Sequence, residues 1–172
     1  MTRGAERALS VEHWLLSAAE TPGRARAEWE ESGRALLRCG GIFSAVRLSA
    51  RLVYAVTQTT CLADIDNYLA RALHGGPVFL DQLTHRYYVL VGASTRYRSE
   101  WDQPRCEDAE FIGRGHFLGV PPVQATTPEA GPSYWCVPMD SLGDLTRPDA
   151  VTQLLSVGRF QLTSRGERAT GE

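Results

Sequence analysis

Arg34-Ala-Leu-Leu-Arg-Cys-Gly-Gly-Ile-Phe-Ser-Ala-Val-Arg-Leu48 is the stretch whose reading decides the fold. Leu36-Leu37 is a short apolar run. Gly40-Gly41 marks a turn or a close approach of two backbones. Ile42 to Leu48 is apolar except at Ser44 and Arg47, the pattern of a mostly buried strand. A central strand of this kind often carries the chemistry of a mixed domain. This one carries Ser44, Ala45 and Arg47, and no acid. Ser49 follows at once and suits the N-cap of a short helix to about Thr57.

Upstream of that strand the pattern is helical. Ser10 suits an N-cap for a helix from Val11 to about Glu20, with Leu9 and Trp14 spaced as a hydrophobic staple. Pro22 opens a second helix to about Ser32, and Gly33 fits its C-terminal cap. Residues 1–9 read as a flexible N-terminus. Downstream, Leu62, Ile65, Leu69 and Leu73 recur at helical spacing through His74, where Gly75-Gly76-Pro77 stops the helix. Pro77 to Leu80 and Arg86 to Val91 read as two strands of a hairpin joined by Asp81 to His85. Ser94 or Thr95 suits the cap of a short helix to about Trp101, followed by a loop through Pro104-Arg-Cys-Glu-Asp108. Ala109 to Ile112 and His116 to Val120 read as strands about a Gly113-Arg114-Gly115 turn. An exposed proline- and threonine-rich loop spans Pro121 to Pro132. Tyr134 to Pro138 is a last strand and Pro148 to Ser156 a closing helix, with 164–172 a disordered polar tail. The expected architecture is α+β: one domain over 10–163, a mixed and mostly antiparallel sheet, and flanking helices.

The chain has 172 residues, 43% hydrophobic and 22% charged, which is enough for one domain with a real core. The net charge of -2 offers no bulk attraction to nucleic acid. All 18 basic residues are arginine. Schiff-base lysines and the lysine of a phosphate loop are thereby excluded, while the planar donor fork of arginine still suits phosphate. The N-terminus lacks the apolar core of a signal peptide, and no run approaches a spanning helix, so a cytoplasmic location is expected. Cys39, Cys61, Cys106 and Cys136 form no C-x-x-C and read as free and mostly buried thiols.

Among candidate sites, Asp64-Ile65-Asp66 has the look of a metal pair. On a helix, however, positions i and i+2 point about 200° apart, so capping of a first turn is the stronger reading. Gly113-Arg114-Gly115-His116 joins turn amides, a guanidinium and an imidazole, a possible anion site that could equally be a tight hairpin. His85-Arg86, beside a strong strand, is either a phosphate contact or a polar hairpin tip. His13 and His74 read as surface or capping residues, and Trp14 and Trp29 as core. No serine-hydrolase elbow, H-E-x-x-H, G-x-G-x-x-G or Walker motif occurs.

Two N-terminal helices bearing Trp14 and Trp29 precede Gly40-Gly-Ile-Phe-Ser-Ala-Val-Arg-Leu48. Gly75-Gly-Pro-Val-Phe79, Tyr87-Tyr-Val-Leu-Val91, Gly113-Arg-Gly-His-Phe-Leu-Gly-Val-Pro-Pro122 and Tyr134-Trp-Cys-Val-Pro138 follow. In this order, over about residues 10 to 160, the chain resembles the bifunctional DNA primase/polymerase N-terminal domain. This is the prim-pol branch of the archaeo-eukaryotic primases, and the closer likeness is to its short stand-alone actinobacterial versions. The resemblance implies a primase-polymerase-like fold. In active members it implies an Asp-x-Asp pair on the central strand, a histidine on the next hairpin and a third acid before a Pro-Pro turn, binding two metals for nucleotidyl transfer. The matching positions here are Ala45 and Arg47, His85 or Arg86, Glu110, and Pro121-Pro122. One acid of three is too few for two metals.

Three functions follow as expectations. The first is a degenerate, non-catalytic domain that binds a nucleotide or single-stranded nucleic acid without a cofactor, through Arg47, His85, Arg86, Arg114 and His116, with Tyr87 and Phe117 stacking on bases. The second is a regulatory protein-interaction module that reuses the fold, with a protein partner. The third is an active, magnesium- or manganese-dependent primase/polymerase in which Glu110 is catalytic.

Overall fold

The computed structural model describes residues 2–102 and 107–171. Helices α1 (Arg3–Leu16) and α2 (Pro22–Ser32) precede strands β1 (Ala35–Arg38) and β2 (Phe43–Ser49). Helices α3 (Ala50–Thr57) and α4 (Leu62–Ala72) follow, then β3 (Val78–Asp81), β4 (Arg86–Gly92), β5 (Ala109–Ile112), β6 (Phe117–Val120), β7 (Ser133–Val137) and α5 (Pro148–Thr170). The class is α+β, as expected. Five strands form one sheet in the order β5-β2-β4-β3-β7, and β1 pairs with β6 in a separate ribbon. Every pairing between these strands is antiparallel; a lone parallel bridge joins Val91 to Thr146.

The sheet separates two cores because successive side chains of a strand point to opposite faces. Val46, Leu48, Tyr87, Val89, Leu80 and Tyr134 pack on one face against α3, α4 and α5. Phe43, Ala45, Phe79, Leu90 and Trp135 pack on the other against α1, α2 and the ribbon. Trp29 is buried there, and its indole N–H donates to the Val120 carbonyl at 2.9 Å, so it is core as the sequence implied. Trp14 lies 6.1 Å from Phe43.

Several local signals hold. Ser49 Oγ accepts the Leu52 N–H at 3.2 Å and caps α3. Gly33, at φ 74°, ends α2 in the left-handed region. Gly40 is both a turn and a close approach: its φ is +91°, and a Cβ there would lie 2.7 Å from the Arg114 Cα. Cys39 and Cys136 are buried free thiols, but Cys61 is exposed, and Cys106 lies outside the described residues. Burial pushes the Cys39 thiol up to about 11, which keeps it protonated and unreactive.

Other expectations are corrected. The first helix begins at Arg3, inside the stretch read as flexible, because Thr2 Oγ1 caps it by accepting the Ala5 N–H at 3.3 Å. Ser10 is not a cap; its hydroxyl donates to the Glu6 carbonyl at 2.9 Å in mid-helix, and Leu9 is exposed rather than stapled to Trp14. No helix follows Ser94. The carbonyls of Glu100 and Trp101 are taken by Arg159 of α5, and the Trp101 indole donates to Thr152 at 3.0 Å, so tertiary partners replace a helical ladder. Helix α5 does not stop at Ser156. It runs to Thr170 through the residues read as a tail, because Gly158 lets it lie directly on Leu52 and Val56 of α3, while Arg159 pairs with Asp108 at 3.2 Å. Among the described residues no helix is long and apolar enough to cross a membrane.

Candidate functional site

The candidate site is the rim of the sheet face that also packs on α1 and α2. Register builds it. Arg47 on β2 stands opposite Glu110 of β5 on one side and Tyr88 of β4 on the other. Tyr88 in turn stands opposite Phe79, and Phe79 opposite Trp135. The result is one row across all five strands: Glu110, Arg47, Tyr88, Phe79, Trp135. Cross-strand neighbours on one face are close enough to touch. Phe79 stacks on Tyr88 with centroids 4.9 Å apart and 16° between planes, and meets Trp135 edge-on at 5.3 Å.

Charge lies at the solvent side of this row. Arg47 makes an ion pair with Glu110, with 29% of the arginine side chain and 46% of the glutamate side chain exposed. Arg86, two residues before Tyr88 on the same face, is exposed and stands opposite Asp81. Asp81 is buried, and Arg34 holds it at 3.2 Å. The band therefore carries Arg34, Arg47 and Arg86 against Asp81 and Glu110. Two of the arginines are neutralised by neighbours, and Arg86 supplies the surplus positive charge. Burial pushes the Tyr88 phenol up, with Arg47 pulling it down, Asp81 pushing it up and Arg86 pulling it down. An arginine beside a partly open tyrosine ring can hold one phosphate and stack one base or ring.

The five basic residues singled out in the sequence do not converge. Arg47 and Arg86 share the band, and His85 sits at the adjoining hairpin tip with φ 54°, exposed, its carbonyl accepting from Ala50 N–H at 3.0 Å. Arg114 and His116 lie at the other end of β2, where Arg114 touches Gly40. From Phe43 to Arg47 is roughly 14 Å of strand. His116 and Arg114 are exposed on the turn between β5 and β6, with the His116 amide bonded to the Gly113 carbonyl at 3.2 Å. The turn is tight, but it closes no hairpin: β5 pairs with β2 and β6 with β1, so the strands on its two sides belong to different sheets. Tyr87 is also corrected as a stacking residue. It faces the opposite core and is fully buried, its hydroxyl without a hydrogen-bond partner among the described residues. Tyr88 takes the place on the rim. Phe117 is 46% exposed, on the ribbon, beneath the Arg38 guanidinium at 5.5 Å.

Asp64 and Asp66 also part company. Asp64 is exposed in the first turn of α4, where the helix dipole favours an acid. Asp66 faces the sheet and accepts the Tyr134 hydroxyl at 3.1 and 3.2 Å. Burial raises its carboxyl from 3.8 to about 6, against the lowering effect of hydrogen bonds from Tyr134 and Cys136. Because the folded value lies above the unfolded one, the fold favours protonated Asp66. Its stability contribution is full below pH 3.8 and is lost as pH rises through about 6. Asp66→Asn, which keeps an acceptor for Tyr134, should therefore flatten the stability curve between pH 4 and 7. It should also raise stability at pH 7 by about 1 kcal/mol, allowing for solvent on the exposed side of the carboxylate. Urea melts across that range check this; an unchanged slope in the variant rules it out.

No group of three or more histidine, cysteine, aspartate or glutamate side chains placed to hold a metal occurs among the described residues. No family model, no curated protein and no solved structure matches the chain.

Proposed function

We propose that this chain is a non-catalytic, primase-polymerase-like domain that binds a nucleotide, or the end of a nucleic-acid single strand, at the Arg47–Arg86–Tyr88 rim. The observation that supports it most is the Arg47–Glu110 ion pair. By the resemblance, Ala45 and Arg47 stand where a catalytic pair of acids would be, and Glu110 stands for the third acid. Here an arginine answers that acid directly, so a cation from solution has no charge left to balance. The remaining positive charge at Arg86, beside the Tyr88 ring, suits one phosphate with one stacked base better than a long polyanion.

The test is fluorescence anisotropy with a short single-stranded oligodeoxynucleotide, alongside thermal shift with deoxynucleoside triphosphates, each with and without manganese. Binding should need no metal and should weaken with salt. Arg86→Ala should weaken it by about 10-fold, the worth of one charge-assisted hydrogen bond. Arg47→Ala should weaken it as much or more, because Glu110 is left bare on the rim, and Arg47→Ala/Glu110→Ala should recover part of the loss. Binding unchanged in both single variants defeats the proposal. Manganese-dependent nucleotide incorporation abolished by Glu110→Ala would establish the active-polymerase reading instead.

The interaction-module reading draws on a separate observation. Leu36 is 56% exposed and Phe117 46% exposed, and both border a cleft of about 220 Å³ between the ribbon and α2. Exposed apolar side chains grouped in this way suit a protein partner. This reading expects no nucleotide affinity in the same assays.

A further inference from the structure

A second cleft, of about 630 Å³, opens where β4 ends and α5 begins. Its volume is in the range of sites for small ligands. It lies at the Gly92 end of β4. Gly92 pairs with Phe43, whereas Tyr88 pairs with Arg47, so the cleft is roughly 14 Å along the strands from the rim described above.

Its walls are basic and hydroxylated. Arg96, Arg98 and Arg147 line it with Ser94 and Thr95, and Asp144 is its one acidic lining residue. Arg98 is fixed in place: it donates to Asp149 at 2.8 Å and to Thr152 at 3.3 Å, with its guanidinium 5.6 Å over the Trp101 ring. Arg96 and Arg147 are exposed, and neither makes an ion pair or a side-chain hydrogen bond to the described residues. The 23-residue helix α5 starts at this wall, with Arg147 as its N-cap residue and no side chain capping its first amides. Pro148 has no amide hydrogen, and the Ala150 and Val151 amides donate to the Arg147 carbonyl at 3.0 and 3.4 Å, so the arginine side chains carry the attraction for an anion.

The cleft is also built rather than incidental. Thr146 is buried, and its amide donates to the Leu90 carbonyl at 2.9 Å, tying the loop before α5 to the end of β4. The same threonine lies against Gly76, where a Cβ would come within 2.0 Å of its hydroxyl oxygen. The loop is thus held between β4 and the segment that follows α4, and Arg147 is presented from a fixed base.

From this cleft we infer a second anion site, for a phosphorylated small molecule, in which Arg96 and Arg147 grip the phosphate and Ser94 and Thr95 donate to its remaining oxygens. The paired, planar donors of two unengaged arginines match a phosphate in charge and in shape. The site is independent of the rim, so either can fail without the other.

The probes are inorganic pyrophosphate and a nucleoside triphosphate, titrated into the full chain and followed by amide NMR and calorimetry. Both should shift the amides of Thr95, Arg96 and Arg147. Equal affinity would identify the polyphosphate as the group recognised, and tighter triphosphate binding would add the nucleoside. Arg96→Ala/Arg147→Ala should weaken pyrophosphate binding, read from the Thr95 amide and its neighbours, at least ~10-fold, while removal of an exposed charge elsewhere, Arg71→Ala on α4, leaves it unchanged. Either probe shifting only amides around Tyr88, or neither shifting any, would overturn the inference. So would an affinity untouched by the double variant, with its native fold confirmed by the same spectra.

Discussion

Phe79→Ala should unfold the chain more readily than any other single truncation on the rim face, by about 3–5 kcal/mol. Phe79 is fully buried and lies between Tyr88, stacked at 4.9 Å, and Trp135, edge-on at 5.3 Å. Its removal takes away the transfer energy of a whole ring. It also leaves a cavity that β-strand neighbours cannot close, and it breaks two aromatic contacts worth about 0.5–1.5 kcal/mol each. For a domain of this size, about 2–4 °C is lost per kcal/mol, so the melting temperature should fall by roughly 10 °C. The effect reaches function, because Tyr88 loses the surface that sets its ring on the rim beside Arg47. Phe79→Leu should cost less and keep more ligand affinity. Calorimetric melts of both variants check this; a cost below 1 kcal/mol for alanine would mean that the aromatic row is not packed as described.

Gly40→Ala should cost about 3 kcal/mol, from two penalties at one atom. The left-handed φ of +91° is strained for any residue with a Cβ. The new Cβ would also meet the Arg114 Cα at 2.7 Å, and a backbone atom cannot swing aside as the end of a side chain can. The turn must therefore shift, and with it the start of β2 and the end of the β5–β6 connection. Gly41→Ala is the control. Gly41 has open space around its Cβ position and no positive φ, so its substitution should change stability by under about 0.5 kcal/mol. Denaturant melts of the pair separate the two glycines, and equal losses would show that the close approach to Arg114 is not what Gly40 serves.

The contrast between these neighbours is a fair measure of what could be read in the chain. The Gly-Gly pair announced a turn or a close approach, and both occur, but only at the first glycine. The Tyr87-Tyr88 pair behaves in the same way. It announced a strong strand, which is there. Which ring faces outward depends on the pairing of β4 with β2 and β3, and a step of one residue turns every side chain to the other face. The sequence reading placed Tyr87 at the ligand; the register places Tyr88 on the rim and buries Tyr87. His85 and Arg86 were separable only by the same step.

Asp66 was misread for a related reason. Its position near the start of a helix suggested capping, and nothing local shows that α4 lies on β7 with Tyr134 beneath it. Nor does any local signal bring Arg96 and Arg147, 51 residues apart by number, to one cleft.

By itself, the sequence determined the α+β class, the succession of elements from α2 through β7 apart from β1 and the segment after Ser94, the Ser49 and Gly33 caps and the Gly40 turn. Those features rest on periodicity, capping and φ preferences, which act over a few residues. Only the tertiary structure decided the pairing of Arg47 with Glu110 and Tyr88, the separation of Arg114 and His116 from Arg47, and the run of α5 to Thr170. These depend on strand register and on contacts between distant segments, such as Gly158 on α3 and Arg159 on Asp108. Such contacts are set by how whole faces fit together, and no short window of the chain contains both partners.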